Sequence, residues 1–295
     1  MFNKDKPVEI LFAENCTKCG LCAENCPGEH LIKTDSGIKI NDNSLFGCIQ
    51  CGHCMISCPV DALSVRGEGI SEKNVYELAH EKPDYQALYN LFSARRSTRK
   101  FMQKEISKEL IDKIICAAST GAISIPPYEV KVLVINDSEK VKELAQDITS
   151  SLSNMTKVIN NYTIALLKPF IGKLNYKMFK EFVFPLINAT VQERKRGNDI
   201  LFYNAPAIIL FYTTPVTEGV DAHIAATLAS IAAESLGLGS CIIGTVPPAI
   251  NKNPEIKEKL GIAKNETIQH AMILGYPAVK YIKGIKREFK ETRYL

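Results

Sequence analysis

The chain has 295 residues, of which 46% are hydrophobic and 23% charged, and its formal net charge is +4. This length and composition predict a soluble globular protein with enough apolar residues for a packed core, as one large domain or as two. The first residues, MFNKDKPVEI, contain no apolar signal region, and no stretch reaches the roughly 18 apolar residues of a membrane span, so we expect a cytoplasmic protein without a membrane partner.

Eight of the ten cysteines lie in two short runs near the N-terminus. CTKCGLCAENCP begins at Cys16 and CIQCGHCMISCP begins at Cys48, and both have the pattern C-x-x-C-x-x-C-x-x-x-C-P. The second run follows the first by 32 residues, which indicates an internal repeat. This spacing is typical of thiolate ligands to 4Fe-4S clusters. Structural zinc, the alternative, leaves the third cysteine and the Cys-Pro pair of each run unexplained.

Residues 8–66 resemble bacterial two-cluster ferredoxins, including the PVDAL after the last cysteine of the second run. In this arrangement the first three cysteines of each run bind one cluster, and the fourth binds the other. The predicted ligand sets are Cys16, Cys19, Cys22 and Cys58 for one cluster and Cys48, Cys51, Cys54 and Cys26 for the other. Both sets are complete without His53, which we expect near a cluster but not bound to it. The isolated Cys116 and Cys241 are expected to lie in the core or at positions that need a small side chain.

We therefore predict a two-cluster domain over residues 1–66, a connector over 67–84 and a second domain over 85–295. Helices are predicted from caps at Asp84, Ser107, Asp221 and Asn253, and across most of residues 140–200 with a break near Lys168 and Pro169. Buried strands are predicted at 130–135, 205–214 and 267–275. Irregular alternation of helices and strands favours an α+β fold, a sheet covered by helices.

The stretch LFSARRSTRKF, residues 91–101, places four cations at the end of the first predicted helix of that domain. These cations could form a solvated helix end, a nucleic-acid-binding patch or a phosphate-binding site. GLGSCIIG, residues 237–244, looks like a dinucleotide loop, but it follows a helix and leads into a strand, the reverse of the Rossmann order.

Four features appear in order along residues 89–295: RRSTRKF, GLGSCIIG after an Ala-rich helix, LGYP at 274–277, and a basic C-terminal cluster. Together they resemble the nitroreductase family of FMN flavoproteins. The resemblance implies an α+β fold and an obligate homodimer that binds FMN at its subunit interface.

By this resemblance, Arg95, Arg96 and Ser97 hold the FMN phosphate and ribityl chain, and Arg99 places a cation near flavin N1 and O2. The resemblance also assigns several further flavin contacts, and no catalytic side chain. Arg287 is the first candidate for a C-terminal cation that completes the phosphate site, and Lys286 is the second. Thr120 would reach the phosphate from the partner subunit. The loop at Ile243 and Gly244, with Thr245 adjacent, would present a backbone N–H to flavin N5. Ile123 and Ile125 stand where many relatives have Asn and Gln, so the pocket is expected to be more apolar than usual.

The sequence thus predicts an oxidoreductase that passes electrons from a low-potential donor through two 4Fe-4S clusters to FMN and on to a small organic acceptor, such as a nitroaromatic or quinone. Reduced ferredoxin or flavodoxin, or NAD(P)H, is the expected donor. The alternatives are a non-catalytic electron carrier or redox sensor and a reductive dehalogenase-type flavin enzyme. Nucleic acid is not expected, since clusters and FMN would bring the net charge to about −2.

Overall fold

The computed structural model describes residues 8–122, 124, 128–158 and 172–295. They form two compact units. The first, here the cysteine unit, contains the chain up to Lys82 and a short stretch that ends at Glu129. The second, here the sheet unit, contains the chain from Pro83 to Ala122 and from Val130 onward. The division after Lys82 falls inside the predicted connector at 67–84.

The cysteine unit contains two small antiparallel pairs of strands. Strand β1 (Glu9–Phe12) pairs with β4 (Leu63–Arg66), and β2 (Leu31–Thr34) forms a hairpin with β3 (Gly37–Ile40). Two single-turn helices, α1 (Leu21–Glu24) and α2 (His53–Ile56), and a 3₁₀ turn at Glu72–Asn74 complete the unit.

The backbone of the cysteine unit repeats with the same 32-residue period as its cysteines. Three pairs of equivalent residues have positive φ angles: Lys18 and Gln50, Gly20 and Gly52, Glu29 and Asp61. Gly20 and Gly52 cap α1 and α2 in the left-handed conformation that glycine adopts at least cost. The sequence repeat is therefore also a structural repeat.

A small apolar core lies between the two halves of this unit. It contains Leu31, Met55, Leu63, Val65 and Ile70, and several cysteines pack against it. Ile70 is 6% exposed although it lies in the predicted connector, because the turn from Gly67 to Ile70 folds back through an antiparallel bridge.

The sheet unit is built on strands β5 (Val130–Ile135), β6 (Ala207–Thr213), β7 (Gly239–Ile242) and β8 (Thr267–Gly275). Among the described residues these form an antiparallel sheet in the order β5-β6-β8-β7. Residues of β6 alternate between two apolar cores, one on each face of the sheet, with Ile208 and Leu210 in one and Ile209 and Phe211 in the other. The predicted α+β fold is confirmed.

Helices cover both faces of this sheet. In chain order they are α3 (Tyr85–Ala94), α4 (Lys108–Ala118), α5 (Ser138–Val158), α6 (Phe184–Lys195), α7 (Gly219–Ser235), α8 (Val246–Asn251) and α9 (Pro254–Lys259), with a helical stretch at 172–178 and a π turn at Phe179–Val183 before α6. The predicted break at Lys168 and Pro169 lies outside the described residues. None of the described helices combines the length and apolarity needed to cross a membrane.

Three of the four predicted helix caps are confirmed. Asp84 accepts the N–H of Ala87 at 2.7 Å, Ser107 accepts that of Leu110 at 3.4 Å, and Asn253 accepts that of Glu255 at 3.1 Å. The cap at Asp221 is wrong: α7 begins at Gly219 after Glu218, and Asp221 lies in its first turn. An acidic residue there still favours the helix, because it faces the positive end of the helix dipole.

Candidate functional site

The eight clustered cysteines line two separate cavities of the cysteine unit. Cys16, Cys19, Cys22 and Cys58 line the first cavity, together with Phe12 and Leu63. Cys26, Cys48, Cys51 and Cys54 line the second cavity. Each cavity combines three cysteines of one run with the fourth of the other, the grouping that the sequence pattern predicts. All eight thiols are free of disulfides.

The thiols of the second cavity influence one another electrostatically. Burial raises the pKa of Cys54 to about 12, and the charges of Cys48, Cys51 and Cys26 add to this effect. Burial also raises the pKa of Cys48, again with contributions from Cys51 and Cys26. Four half-buried thiolates so close together repel one another, and a bound cation would favour their deprotonated form. The donor set therefore fits an iron-sulfur cluster.

The first cavity combines the half-buried thiol of Cys22 with the exposed thiol of Cys19. Burial raises the pKa of Cys22, and the charges of Cys16 and Cys19 act in the same direction. Backbone N–H groups, chiefly that of Leu21, lower the pKa of the exposed Cys19 thiol. A further backbone N–H, that of Ala62, donates to the sulfur of Cys58 at 3.2 Å. Hydrogen bonds of this kind to ligand sulfurs tune the potential of a cluster.

No three His, Cys, Asp or Glu side chains of the described chain converge tightly enough to share one metal ion. This is compatible with a 4Fe-4S site, because each thiolate there binds a different iron and the four sulfurs need not meet around a single point. Cys241 is buried in β7, as expected, whereas Cys116 is exposed on α4.

In the sheet unit, the basic loop over residues 95–102 is tied to the ends of two strands. The N–H of Thr98 donates to the carbonyl of Ser240 in β7 at 2.9 Å, and the N–H of Met102 donates to that of Tyr276, just after β8, at 2.8 Å. A Cβ added to Gly239 would lie 2.5 Å from Thr98 Oγ1, so only glycine allows this close approach. The backbone of the loop is therefore held in place.

The arginine side chains of this loop interact with two different groups. Arg96 donates to the carbonyl of Arg95 at 2.7 Å. Burial raises the pKa of the half-buried Glu234 carboxyl, and the charges of Arg95 and Arg96 oppose that rise, which places both cations near this carboxylate. Arg99 lies instead over the ring of Tyr203, 5.9 Å from its centroid.

A cavity of about 470 Å³ adjoins the loop. Its lining includes Arg96, Thr98 and Glu234, and Lys280 and Lys283 of the C-terminal segment. This size lies in the usual range of about 300–1,000 Å³ for small-molecule sites. An arginine fork with two lysines is a donor set that suits a phosphate group, so the residues present fit the phosphate end of FMN.

Lys280, Lys283 and Glu234 were not among the predicted site residues. The predicted Arg287 is exposed, and Lys286 pairs with Glu288 at 2.7 Å. No sequence pattern marks Lys280 and Lys283. The segment that carries them is tied to the basic loop in the fold, where the N–H of Ala278 donates to the carbonyl of Lys100 at 2.9 Å.

The predicted N5 loop lies between β7 and α8. The N–H of Ile243 donates to the carbonyl of Ala271 at 2.8 Å and is therefore used within the sheet. Gly244 is exposed, with open space around its α-carbon, and Thr245 precedes the first residue of α8. Within this loop, the N–H groups of Gly244 and Thr245 are better placed to donate to a ligand.

Thr120 lies at the end of α4, where its hydroxyl donates to the carbonyl of Ala117 at 2.8 Å. Its predicted contact requires a partner subunit. Ile123 and Ile125, predicted to replace polar flavin contacts, lie outside the described residues.

Two family models match the chain. One, described as the nitroreductase family, matches residues 92–276. The other, described as a 4Fe-4S dicluster domain, matches residues 15–63. The second match covers the two cysteine runs and the first covers most of the sheet unit, so the chain carries a 4Fe-4S ferredoxin domain in front of a nitroreductase domain.

Two curated relatives are similar to part of the chain. An FMN reductase [NAD(P)H] of Bacillus subtilis (strain 168) is 28% identical over 189 residues, which are 64% of this chain and 65% of that protein. An NADPH-flavin oxidoreductase of Vibrio harveyi is 27% identical over 184 residues, 62% of this chain and 63% of that protein. The chain thus spans somewhat less than two thirds of these relatives.

Solved structures share the fold of the sheet unit. FMN-bound nitroreductases from Bacteroides fragilis and Desulfitobacterium hafniense match with TM-scores of 0.51 and 0.52 and identities of 21% and 19%. Each match covers 70% of this chain and 97% of the other. At this level of identity the likeness concerns the fold.

Proposed function

The chain belongs to the nitroreductase family, and from this premise we propose that it is an iron-sulfur flavoprotein oxidoreductase that carries single electrons through two 4Fe-4S clusters to FMN and then to a small organic acceptor. The observation that carries the proposal is the grouping of eight cysteines around two cavities in the same chain as a nitroreductase domain. Clusters transfer one electron at a time whereas a flavin stores two, which gives the fusion a chemical purpose.

In this proposal the cysteines hold the clusters in the crossed arrangement. Cys16, Cys19, Cys22 and Cys58 bind the cluster of the first cavity, and Cys26, Cys48, Cys51 and Cys54 bind that of the second. Because every ligand is a reduced thiolate, the chain belongs in a reducing compartment, and we place it in the cytoplasm.

The basic loop holds the flavin in the sheet unit. Arg95, Arg96 and Ser97 bind the phosphate and ribityl chain, with Lys280 and Lys283 beside Arg96 and with Arg287 as the predicted further cation. Arg99 is assigned to the ring, where a fixed cation stabilises negative charge at N1 and O2. The N–H of Gly244 or Thr245 is assigned to N5. FMN, when bound, supplies two-electron reduction of the acceptor, and these residues orient it.

The donor is proposed to be reduced ferredoxin or flavodoxin, acting on the clusters. NAD(P)H is the second candidate, because the names of both curated relatives include NAD(P)H or NADPH. A nitroaromatic or quinone is proposed as acceptor. The side chains of the protein need only bind and orient FMN and the acceptor, so none is assigned as nucleophile or general base.

We assign a homodimer on the strength of exposed apolar surface in the sheet unit. Within the described chain none of the residues of α3 is buried, and Tyr85, Tyr89 and Phe92 are at least 46% exposed. The C-terminal segment exposes further apolar side chains, among them Ile282 and Phe289. Strand β5 lies at an edge of the described sheet. Such surfaces are normally covered in the functional assembly.

Anaerobic purification with iron, sulfide and flavin determination, followed by donor titration and turnover with nitro and quinone acceptors, tests the proposal. We expect about eight irons and one FMN per chain and flavin reoxidation by the acceptor. Fewer irons would remove the two-cluster assignment. A reduced protein that passes electrons to no acceptor would instead be a carrier or redox sensor.

A further inference from the structure

The segment between α6 and β6, residues 196–206, contains a tight turn at Tyr203 and Asn204. Both residues have left-handed backbone angles, with φ of 56° and 53°. This conformation costs free energy for a residue other than glycine, so two in succession persist only where other contacts hold them. Backbone outliers of this kind are concentrated at functional sites, which makes the turn a candidate.

The side chain of Asp199 holds this turn. Asp199 is only 9% exposed. Its Oδ1 accepts the backbone N–H groups of Leu201 and Phe202, each at 3.0 Å, and its Oδ2 accepts that of Asn204, also at 3.0 Å. Hydrogen bonds to an ionised carboxylate are stronger than those between neutral groups. The backbone on both sides of Tyr203 is therefore fixed by one carboxylate.

The turn is also fastened to the basic loop. Gln103, which follows that loop, donates its side-chain amide to the carbonyl of Asn204 at 3.3 Å. A Cβ added to Gly275, at the end of β8, would lie 2.7 Å from Cδ1 of Phe101 and 2.8 Å from Cδ of Pro206. Both Phe101 and Pro206 are buried. The two segments thus pack against each other across this glycine, with no room for another side chain.

The ring of Tyr203 lies under the guanidinium of Arg99. The distance from Arg99 Cζ to the ring centroid is 5.9 Å, which is within the range of cation–π attraction. Tyr203 is half-buried and packs against the core, whereas Arg99 is exposed. An exposed arginine has many accessible rotamers, so contact with a fixed ring restricts where its charge lies.

We propose that Tyr203 is a positioning residue for the flavin, which holds the guanidinium of Arg99 where it stabilises negative charge on the flavin ring. The inference rests on the proposed function, because it needs bound FMN and the assignment of Arg99 to N1 and O2. A fixed cation there favours the anionic reduced flavin over the oxidised form and so raises the midpoint potential. Tyr203 acts through Arg99 and is assigned no contact of its own with the flavin or the acceptor. An arginine free to move would stabilise the reduced flavin less, while the phosphate contacts of the loop would remain.

Anaerobic redox titration of the full-length holoprotein tests the proposal, with the flavin followed by absorbance and the clusters by EPR. We expect Tyr203→Leu to lower the ratio of affinities for reduced and oxidised FMN about fivefold, which is about 20 mV for a two-electron couple. Its affinity for oxidised FMN, measured by fluorescence, should stay within about threefold of the parent. Tyr203→Phe, which keeps the ring, should titrate as the parent does. Arg99→Ala should lower the potential at least as much as Tyr203→Leu.

A second variant reaches the same turn without changing the ring. In Asp199→Asn one carboxylate oxygen becomes an amide group that cannot accept a backbone N–H, so the turn is loosened and the flavin potential should again fall. Tyr212→Leu is the matched control for lost packing, because Tyr212 is another half-buried tyrosine that packs against the same core, from β6. It should keep the parental potential.

A parental potential in Tyr203→Leu, or in Asp199→Asn if the leucine variant does not fold, would overturn the inference while Arg99→Ala still shows the fall. An equal fall in Tyr212→Leu would also overturn it, since the effect would then be one of packing. The underlying assignments fail in a different way. An unchanged potential in Arg99→Ala would remove Arg99 from the ring, and a parent that retains no FMN would contradict the proposed function; this inference would fall with either.

Discussion

The charges of Arg95 and Arg96 act on the half-buried carboxyl of Glu234, where they oppose the rise in pKa that burial causes. The carboxylate offsets part of that charge, while the remaining donors of the arginine forks are left for an anion. Arg99, held over Tyr203, is separate from this group. In the proposed function the first part of the loop is assigned to the FMN phosphate and Arg99 to the flavin ring.

At this scale we expect Arg95→Ala to weaken FMN binding about 10- to 100-fold, because a charge-assisted hydrogen bond contributes about 1.5–3 kcal/mol. Flavin fluorescence titration of the apoprotein measures the change. Arg196→Ala is the control, since Arg196 is exposed and pairs with Glu193 of its own helix. Unchanged affinity in Arg95→Ala would remove the phosphate assignment.

The environment of His270 predicts how the free energy of unfolding depends on pH. Its ring lies 3.9 Å from that of His223, and burial, followed by the charge of His223, lowers its pKa below the ordinary value of 6.5. Below pH 6.5 the unfolded chain therefore binds more protons than the folded one, and the free energy of unfolding should fall as the pH falls. Denaturant unfolding between pH 7.5 and 5, roughly the range in which histidine titrates, measures this slope. His270→Gln should flatten it, whereas the exposed His80→Gln should not.

At the scale of elements, the two single-turn helices of the cysteine unit depend on glycine caps. Gly20 and Gly52 have φ angles of 101° and 75°, and each presents its neighbouring cysteine to a cavity. The helices are too short to be stable alone, so the caps and the apolar core, with the proposed clusters, must stabilise them. Loss of one cap should therefore affect one cluster more than the other.

We expect Gly52→Ala to reduce the iron content from about eight to about four per chain, because the new Cβ would meet Ile70 in addition to the cost of a left-handed alanine. Gly197→Ala is the control: its φ is 88°, but open space surrounds the added Cβ. Iron and sulfide determination with EPR gives the result. Full iron content in Gly52→Ala would show that this close approach is not needed.

Local patterns in the sequence predicted many of these elements. Asp84, Ser107 and Asn253 mark the starts of their helices with a side-chain cap. Strand β5 is a short, mainly apolar run, so in both cases residues adjacent in sequence carry the signal. The start of α7 was misplaced to Asp221 because Glu218 has no capping hydrogen bond and leaves no signature. Glu234, Lys280 and Lys283 could not be predicted, since only the folding of distant segments brings them beside Arg96.

At the scale of the whole chain, the proposed homodimer would cover the exposed apolar residues of the C-terminal segment. Deleting residues 279–295 should convert the proposed dimer to a monomer and abolish FMN retention, since Lys280 and Lys283 are removed together with Ile282 and Phe289. Analytical ultracentrifugation and flavin determination measure both effects. The iron content should remain at about eight, because no cysteine is touched. A truncated dimer that retains FMN would contradict both assignments.

The central claim is that electrons pass from the clusters to the flavin and then to an organic acceptor. The most direct test is a sequential anaerobic mixing experiment on the full-length holoprotein, in which a ferredoxin-type donor first reduces the clusters and a nitroaromatic is added second. We predict cluster reduction first, flavin bleaching after it, and recovery of the flavin absorbance when the acceptor arrives. Flavin that stays oxidised while the clusters are reduced, or that stays reduced when the acceptor is added, would contradict the account.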